Sequence, residues 1–244
     1  CGVGSEGRVK LSWSDFERVL RRGVKWVIES GLADPEDLAH MEENGAMEGG
    51  DPAQVSDRAK QRARRQLGTL GSGNHFIEVQ EVAEVFDPKV ASELGLFAGQ
   101  VVVMIHSGSR GLGHQICDDF LKVMQQGVRR YDIQLPDRQL ACVPFRSPEG
   151  QRYFQAMKCA ANYAWSNRLV MVGLARKAFA KLFGTNHREL GMRVVYDVAH
   201  NIAKVERFRI DGEEREVCVH RKGATRALGP NDPRLPEAYR AIGQ

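Results

Sequence analysis

The chain has 244 residues, 42% hydrophobic and 27% charged, with a formal net charge of +4. That is the balance of a folded globular protein, not of a disordered one, and the charge is too small by itself to argue for nucleic acid. No apolar run is long enough to span a bilayer, and Cys1-Gly2-Val3-Gly4 is neither a basic nor an apolar leader, so no membrane partner is expected and the cytoplasm is the expected compartment.

In chain order, Phe16, Val19, Leu20, Val24, Val27 and Ile28 recur at helical spacing and predict one amphipathic helix ending near Gly31. A glycine-rich acidic loop over 42–51 leads into a second helix over about 52–66, with Pro52 at its start and a basic run of Lys60, Arg62, Arg64 and Arg65. Residues 76–82 read as a strand, and Val101-Val102-Val103-Met104-Ile105 as a buried one. A helix is expected after Gly113 through about Val128, and the longest helical pattern runs from about Glu149 to Phe183 and closes on Gly184. Residues 192–198 read as another strand, and Asp211-Gly212 joins 205–210 to 217–219 as a hairpin. Strands and helices alternate without a regular βαβ period, so the expected class is α+β, with mixed or antiparallel sheets and packed helices in one unit over 1–244. Five cysteines, at positions 1, 117, 142, 159 and 218, contain no Cys-x-x-Cys; neither disulfides nor a zinc knuckle is indicated, and most are expected in the core.

Chemistry concentrates where apolar runs meet glycine-rich turns. His75 follows Gly71-Ser72-Gly73-Asn74, His106 opens Ser107-Gly108-Ser109-Arg110-Gly111, and His200 ends Asp197-Val198-Ala199. Imidazoles at strand ends are suited to converge on a metal, and Cys1 offers a thiolate. The run from His106 to Gly113 sets a glycine loop, two hydroxyls and Arg110 before a helix, which favours an anion. Asp197 is close enough to His200 in sequence to orient it. Glu78 lies three residues beyond His75 and shares its site only if the first of these residues lie in the turn. Taken singly, each has a plainer reading: a glycine turn, a core histidine bonded to backbone, an Asx cap. Arg209-Ile210-Asp211-Gly212 has the outline of a Lys-x-Asp-Gly nucleotidyl-transfer motif, but a guanidinium cannot serve as the nucleophile, and a hairpin turn explains it better.

Together, Cys1-Gly2-Val3-Gly4, Gly71 to Glu78, His106 to Gly113, Tyr196 to Asn201, and His220-Arg221-Lys222-Gly223-Ala224-Thr225-Arg226 resemble, in order, the motifs of the RtcB family of RNA ligases. The resemblance implies a GTP- and Mn²⁺-dependent enzyme of tRNA splicing and RNA repair. Its partners would be tRNA halves or broken RNA: ends bearing a 2′,3′-cyclic phosphate or 3′-phosphate are joined to 5′-hydroxyl ends. It implies two Mn²⁺ ions held by Cys1, His75, His106 and His200, a guanylate near Asn74, Phe76 and Glu78, and RNA phosphates on Arg62, Arg110 and Lys222. Asn74, Glu78 and Arg110 are the expected catalytic residues. The family's Asp-x-Gly before the cysteine and its C-terminal Cys-His-Gly-Ala-Gly-Arg, whose histidine receives GMP, have no counterpart here. The expectation is therefore a central, extein-like segment, unable to ligate alone, whose partners include the remaining N- and C-terminal segments. Two other functions compete: a stand-alone metal-dependent cyclic phosphodiesterase and a non-catalytic RNA-binding module.

Overall fold

A computed structural model describes residues 6–243. The expected α+β class is observed, as helices packed around one long helix with two separate two-stranded sheets, both antiparallel.

Helix α1 (Trp13–Arg22) starts where the Ser12 hydroxyl accepts from the Asp15 N–H, and buries Phe16, Val19 and Leu20 on one face. The single helix expected over 16–28 is instead two. Gly23 breaks it at φ +54°, and a Cβ there would stand 2.3 Å from the Gly45 carbonyl oxygen, so the chain turns sharply before α2 (Val24–Glu29). The helix expected over 52–66 is likewise shorter: Pro52–Gln54 is a 3₁₀ turn, and α3 (Asp57–Ala63) begins only after Ser56, whose hydroxyl caps it.

Strand β1 (Phe76–Glu81) and β2 (Val101–His106) pair from Phe76↔His106 to Glu81↔Val101. Between them lies α4 (Pro88–Leu94), which the sequence reading missed; Asp87 caps its first N–H groups. Strand β2 is not buried as expected, for Val101 and Met104 are about half exposed. Helix α5 (Gly111–Arg130) starts three residues earlier than expected.

Helix α6 (Pro148–Phe183) matches its prediction, with Ser147 as cap and Gly184 as stop, and at ~1.5 Å per residue it spans roughly 54 Å. The core gathers on it: Tyr163, Trp165 and Leu169 pack with Phe16, Leu20 and Val27 of the N-terminal helices and with Leu112 and Ile116 of α5. Two polar residues on the same face are matched: Asn162 donates to the Leu20 and Met47 carbonyls, and Tyr163 to that of Ala63.

Residues 192–198 do not form the expected strand. Among the described residues their one ladder contact is a parallel bridge from Met41 to Asp197, where the Asp197 N–H donates to the His40 carbonyl and the Glu42 N–H to that of Asp197, and the pairing extends no further. Strand β3 (Asn201–Ile210) and β4 (Glu213–Lys222) form the predicted hairpin, longer than expected, with Asp211 and Gly212 both at positive φ as a type I′ turn requires. This disposes of the nucleotidyl-transfer outline at Arg209 to Gly212. The cysteine expectation fails in part: Cys159 is buried, but Cys117 and Cys142 are exposed.

Candidate active site

His75 stands one residue before β1 and His106 is the last residue of β2. The Phe76↔His106 register therefore delivers both imidazoles to the same end of the hairpin. His200 immediately precedes β3. The ring centroids of His75 and His106 are 5.6 Å apart and those of His106 and His200 5.0 Å, so His106 stands against both of the others. Three of the four expected soft donors, from segments far apart in sequence, thus meet. The fourth, Cys1, lies outside the described residues. Among the described residues, no group of three or more His, Cys, Asp or Glu side chains closes around one point as a complete metal site.

Burial holds the His75 and His200 pKa values below the ordinary histidine range, helped by the Arg110 charge at His75 and by His106 at His200. His75 Nδ1 is 3.0 Å from the Leu70 carbonyl oxygen; a carbonyl only accepts, so Nδ1 carries the proton and Nε2 keeps a free lone pair. These are the neutral, oriented imidazoles that ligation requires.

Arg110 arrives from the turn into α5 at φ +58°, a backbone region that costs a side-chain-bearing residue about 1–3 kcal/mol. Its Nε donates to Thr69 Oγ1 at 3.0 Å. Gly71 is what lets it lie there: a Cβ at Gly71 would fall 1.7 Å from Arg110 Nη1 and 2.5 Å from His75 Nδ1. The glycine loop feeds the helix as expected, but its Gly111 N–H is already donated to Gln66 Oε1. Arg62 lies beside Gly111 and donates to Gln115 Oε1 at 2.7 Å. Lys222, exposed at the end of β4, pairs with Asn201 and so stands next to the His200 turn.

A cavity of about 1300 Å³ opens at this cluster. Asn74, His75, His106, Arg110 and His200 line it, and α6 lines it along much of its length, mostly with apolar residues but also with Arg168 and Arg176. Glu78 is not on that wall: it is exposed on β1, where its carboxylate accepts from Gln80. Phe76 packs against His106, with ring centroids 5.3 Å apart. Asp197 does not reach toward His200. Its carboxylate takes the guanidinium of Arg168, with Nε 2.9 and 3.0 Å from its two oxygens, and burial pushes its pKa up against the pull of that charge.

A family model described as tRNA-splicing ligase RtcB matches residues 1–244. The chain belongs to the RtcB family. Among relatives named tRNA-splicing ligase RtcB, those of Pyrococcus abyssi, Archaeoglobus fulgidus and Thermococcus kodakarensis are 56%, 55% and 52% identical to it over 243 residues. Each match takes in all of this chain, but only 26%, 50% and 50% of those RtcB proteins respectively. The chain thus spans between a quarter and half the length of these relatives.

The sequence reading overlooked Glu42, fully buried, which accepts from the Ala199 N–H at 2.9 Å and from Lys204 Nζ at 2.6 Å. It ties down the turn that carries His200. It also overlooked Asn167 and Arg168 of α6. The signal available was chemical: Asn162, Ser166, Asn167 and Arg168 are polar residues in the middle of a long helix, where burial demands partners.

Proposed function

We propose that this chain forms the metal- and phosphate-binding core of an RNA ligase of the RtcB type, which joins RNA ends carrying a 2′,3′-cyclic phosphate or 3′-phosphate to 5′-hydroxyl ends with GTP. The observation that carries this reading is the meeting of His75, His106 and His200 at the mouth of one cavity beside Arg110. The donor set fits a divalent ion such as Mn²⁺: the imidazoles are partly buried, two are held neutral, and His75 presents Nε2. His75, His106 and His200, with Cys1, would hold a pair of ions. When bound, such a pair supplies Lewis-acid polarisation of a phosphoryl oxygen.

The chain's own groups do the rest. Arg110, anchored through Thr69, presents a guanidinium to a terminal phosphate, and its fork suits two phosphate oxygens at once. Arg62 and Lys222 extend positive charge from the α5 end and the β4 end of the site, so that both RNA strands are held for an in-line displacement. Asn74, on the cavity wall, and Phe76 and Glu78, on the adjoining strand, would be the residues nearest a bound guanylate in this reading. Asn74 is the one of these that shares a wall with the histidines.

The test is ligation of a labelled RNA with a 3′-phosphate and a 5′-hydroxyl, supplied with GTP and Mn²⁺. The enzymes compared are this chain and this chain extended by the flanking segments of the Archaeoglobus fulgidus relative. Sealing by the extended form, lost with His106→Ala, is the expected result. Hydrolysis of the cyclic phosphate without sealing in either form would refute the ligase reading in favour of a phosphodiesterase. Salt-sensitive RNA binding indifferent to metal and to His75→Ala would leave only a binding module.

A further inference from the structure

We propose that Asn167 and Arg168, neighbours on α6, are positioning residues that lock the three histidine-bearing segments to one rigid helix. Successive helical residues point about 100° apart, so the pair splays to two sides of α6. The fully buried Asn167 takes one side. Its Oδ1 accepts from the Gly68 and Thr69 N–H groups at 2.7 and 3.1 Å, and its Nδ2 approaches the Thr69 carbonyl (3.0 Å), Ser107 Oγ (3.1 Å) and the Gly108 carbonyl (3.2 Å). It thereby joins the loop that leads to His75 to the loop that follows His106. Ser107 closes the link by donating to the Leu70 carbonyl at 2.7 Å, the same oxygen that receives the His75 Nδ1 proton.

Arg168 takes the other side. Its Nη1 donates to the Ser107 carbonyl at 3.1 Å, one residue from His106. Its Nε and Nη2 engage Asp197, three residues before His200. One guanidinium therefore spans the His106 and His200 segments, a bridge that a lysine's single ammonium does not reproduce. Only main-chain or non-ligand atoms of those segments are gripped, so both residues act on the imidazoles at one remove. The function of this lock rests on the proposal that the imidazoles are a metal-donor set, whereas the lock itself can be read without metal.

The experiment follows the three imidazole Hε1 resonances of this chain by NMR and titrates Co²⁺ by its visible absorption. The substitutions are Arg168→Met, Asn167→Ser, and the double variant Arg168→Met with Asp197→Leu, which removes both charges and leaves no unpaired ion if the single variant fails to fold. In Arg168→Met or the double variant, the His106 and His200 resonances are expected to move while His75 stays; in Asn167→Ser, His75 and His106 move while His200 stays. Co²⁺ binding weakens about tenfold in each, the scale of lost outer support at metal sites. Folded variants whose three resonances and Co²⁺ affinity match the parent overturn the proposal, as does an equal shift of all three. If the parent binds no Co²⁺, the metal reading fails while the resonance pattern still decides the lock.

Discussion

At the scale of single residues, burial decides which groups this fold keeps charged and which it keeps neutral. Arg176 of α6 is buried and grips Asp37 through two bonds of 2.7 and 2.8 Å, with Asp34 a further 3.4 Å contact. Replacing Asp37 by Ala strands a buried guanidinium on a weaker partner, and the expected loss is about 3 kcal/mol, read from urea unfolding midpoints. Histidines give the opposite case. His40 is held below its ordinary range by burial and by the Arg193 charge, and burial acts the same way on His75 and His200. The unfolded chain therefore takes up protons that the folded one refuses. Stability from these groups is complete above about pH 6.5 and is lost as the pH falls below it. Urea melts at pH 7.5 and pH 5.5 are expected to show this drop, and His40→Gln to reduce it.

At the scale of elements, caps and periodicity wrote most boundaries plainly. Gly184 closes α6 in the sequence as it does in space, and the Asp211-Gly212 turn set the β3–β4 hairpin. The misreadings share a cause. At Gly23, helical periodicity continues across the break, and only the contact with Gly45 shows why the backbone must turn. Residues 192–198 have strand composition, but a strand needs a partner, and the fold offers them a single bridge. Helix packing yields a test with a reversed sign. Gly→Ala inside a helix ordinarily gains up to about 1 kcal/mol from propensity. At Gly173 of α6 a Cβ would lie 2.3 Å from the Leu32 carbonyl oxygen, so Gly173→Ala is expected to destabilise by about 1–3 kcal/mol in chemical denaturation.

At the scale of the whole molecule, a long helix carries the core from Phe154 to Met171 and leaves apolar surface on its last turns. Leu182 and Phe183 are 75% and 61% exposed, and Ile77, Val79 and Val101 of the β1–β2 hairpin are exposed together on one face. Apolar side chains exposed together in this way favour association. By itself the chain is expected to bind a hydrophobic dye and to self-associate with rising concentration in sedimentation. Val79→Lys with Phe183→Lys is expected to suppress both while leaving the helical circular dichroism intact. Among the described residues no helix is long and apolar enough to cross a membrane.

From its letters alone this protein disclosed its α+β class, its longest helix, its hairpin and the turns that carry His75, His106 and His200, because caps, turns and hydrophobic periods are local codes. Its family was also written there, in motifs that keep their order along the chain. What awaited the folded chain was which of these pieces meet. That His106 touches both other histidines, that Asp197 answers Arg168 and not His200, and that Asn167 holds two loops at once are contacts between residues tens of positions apart. Such contacts are fixed by how helices and hairpins pack, and the local sequence carries no record of that arrangement.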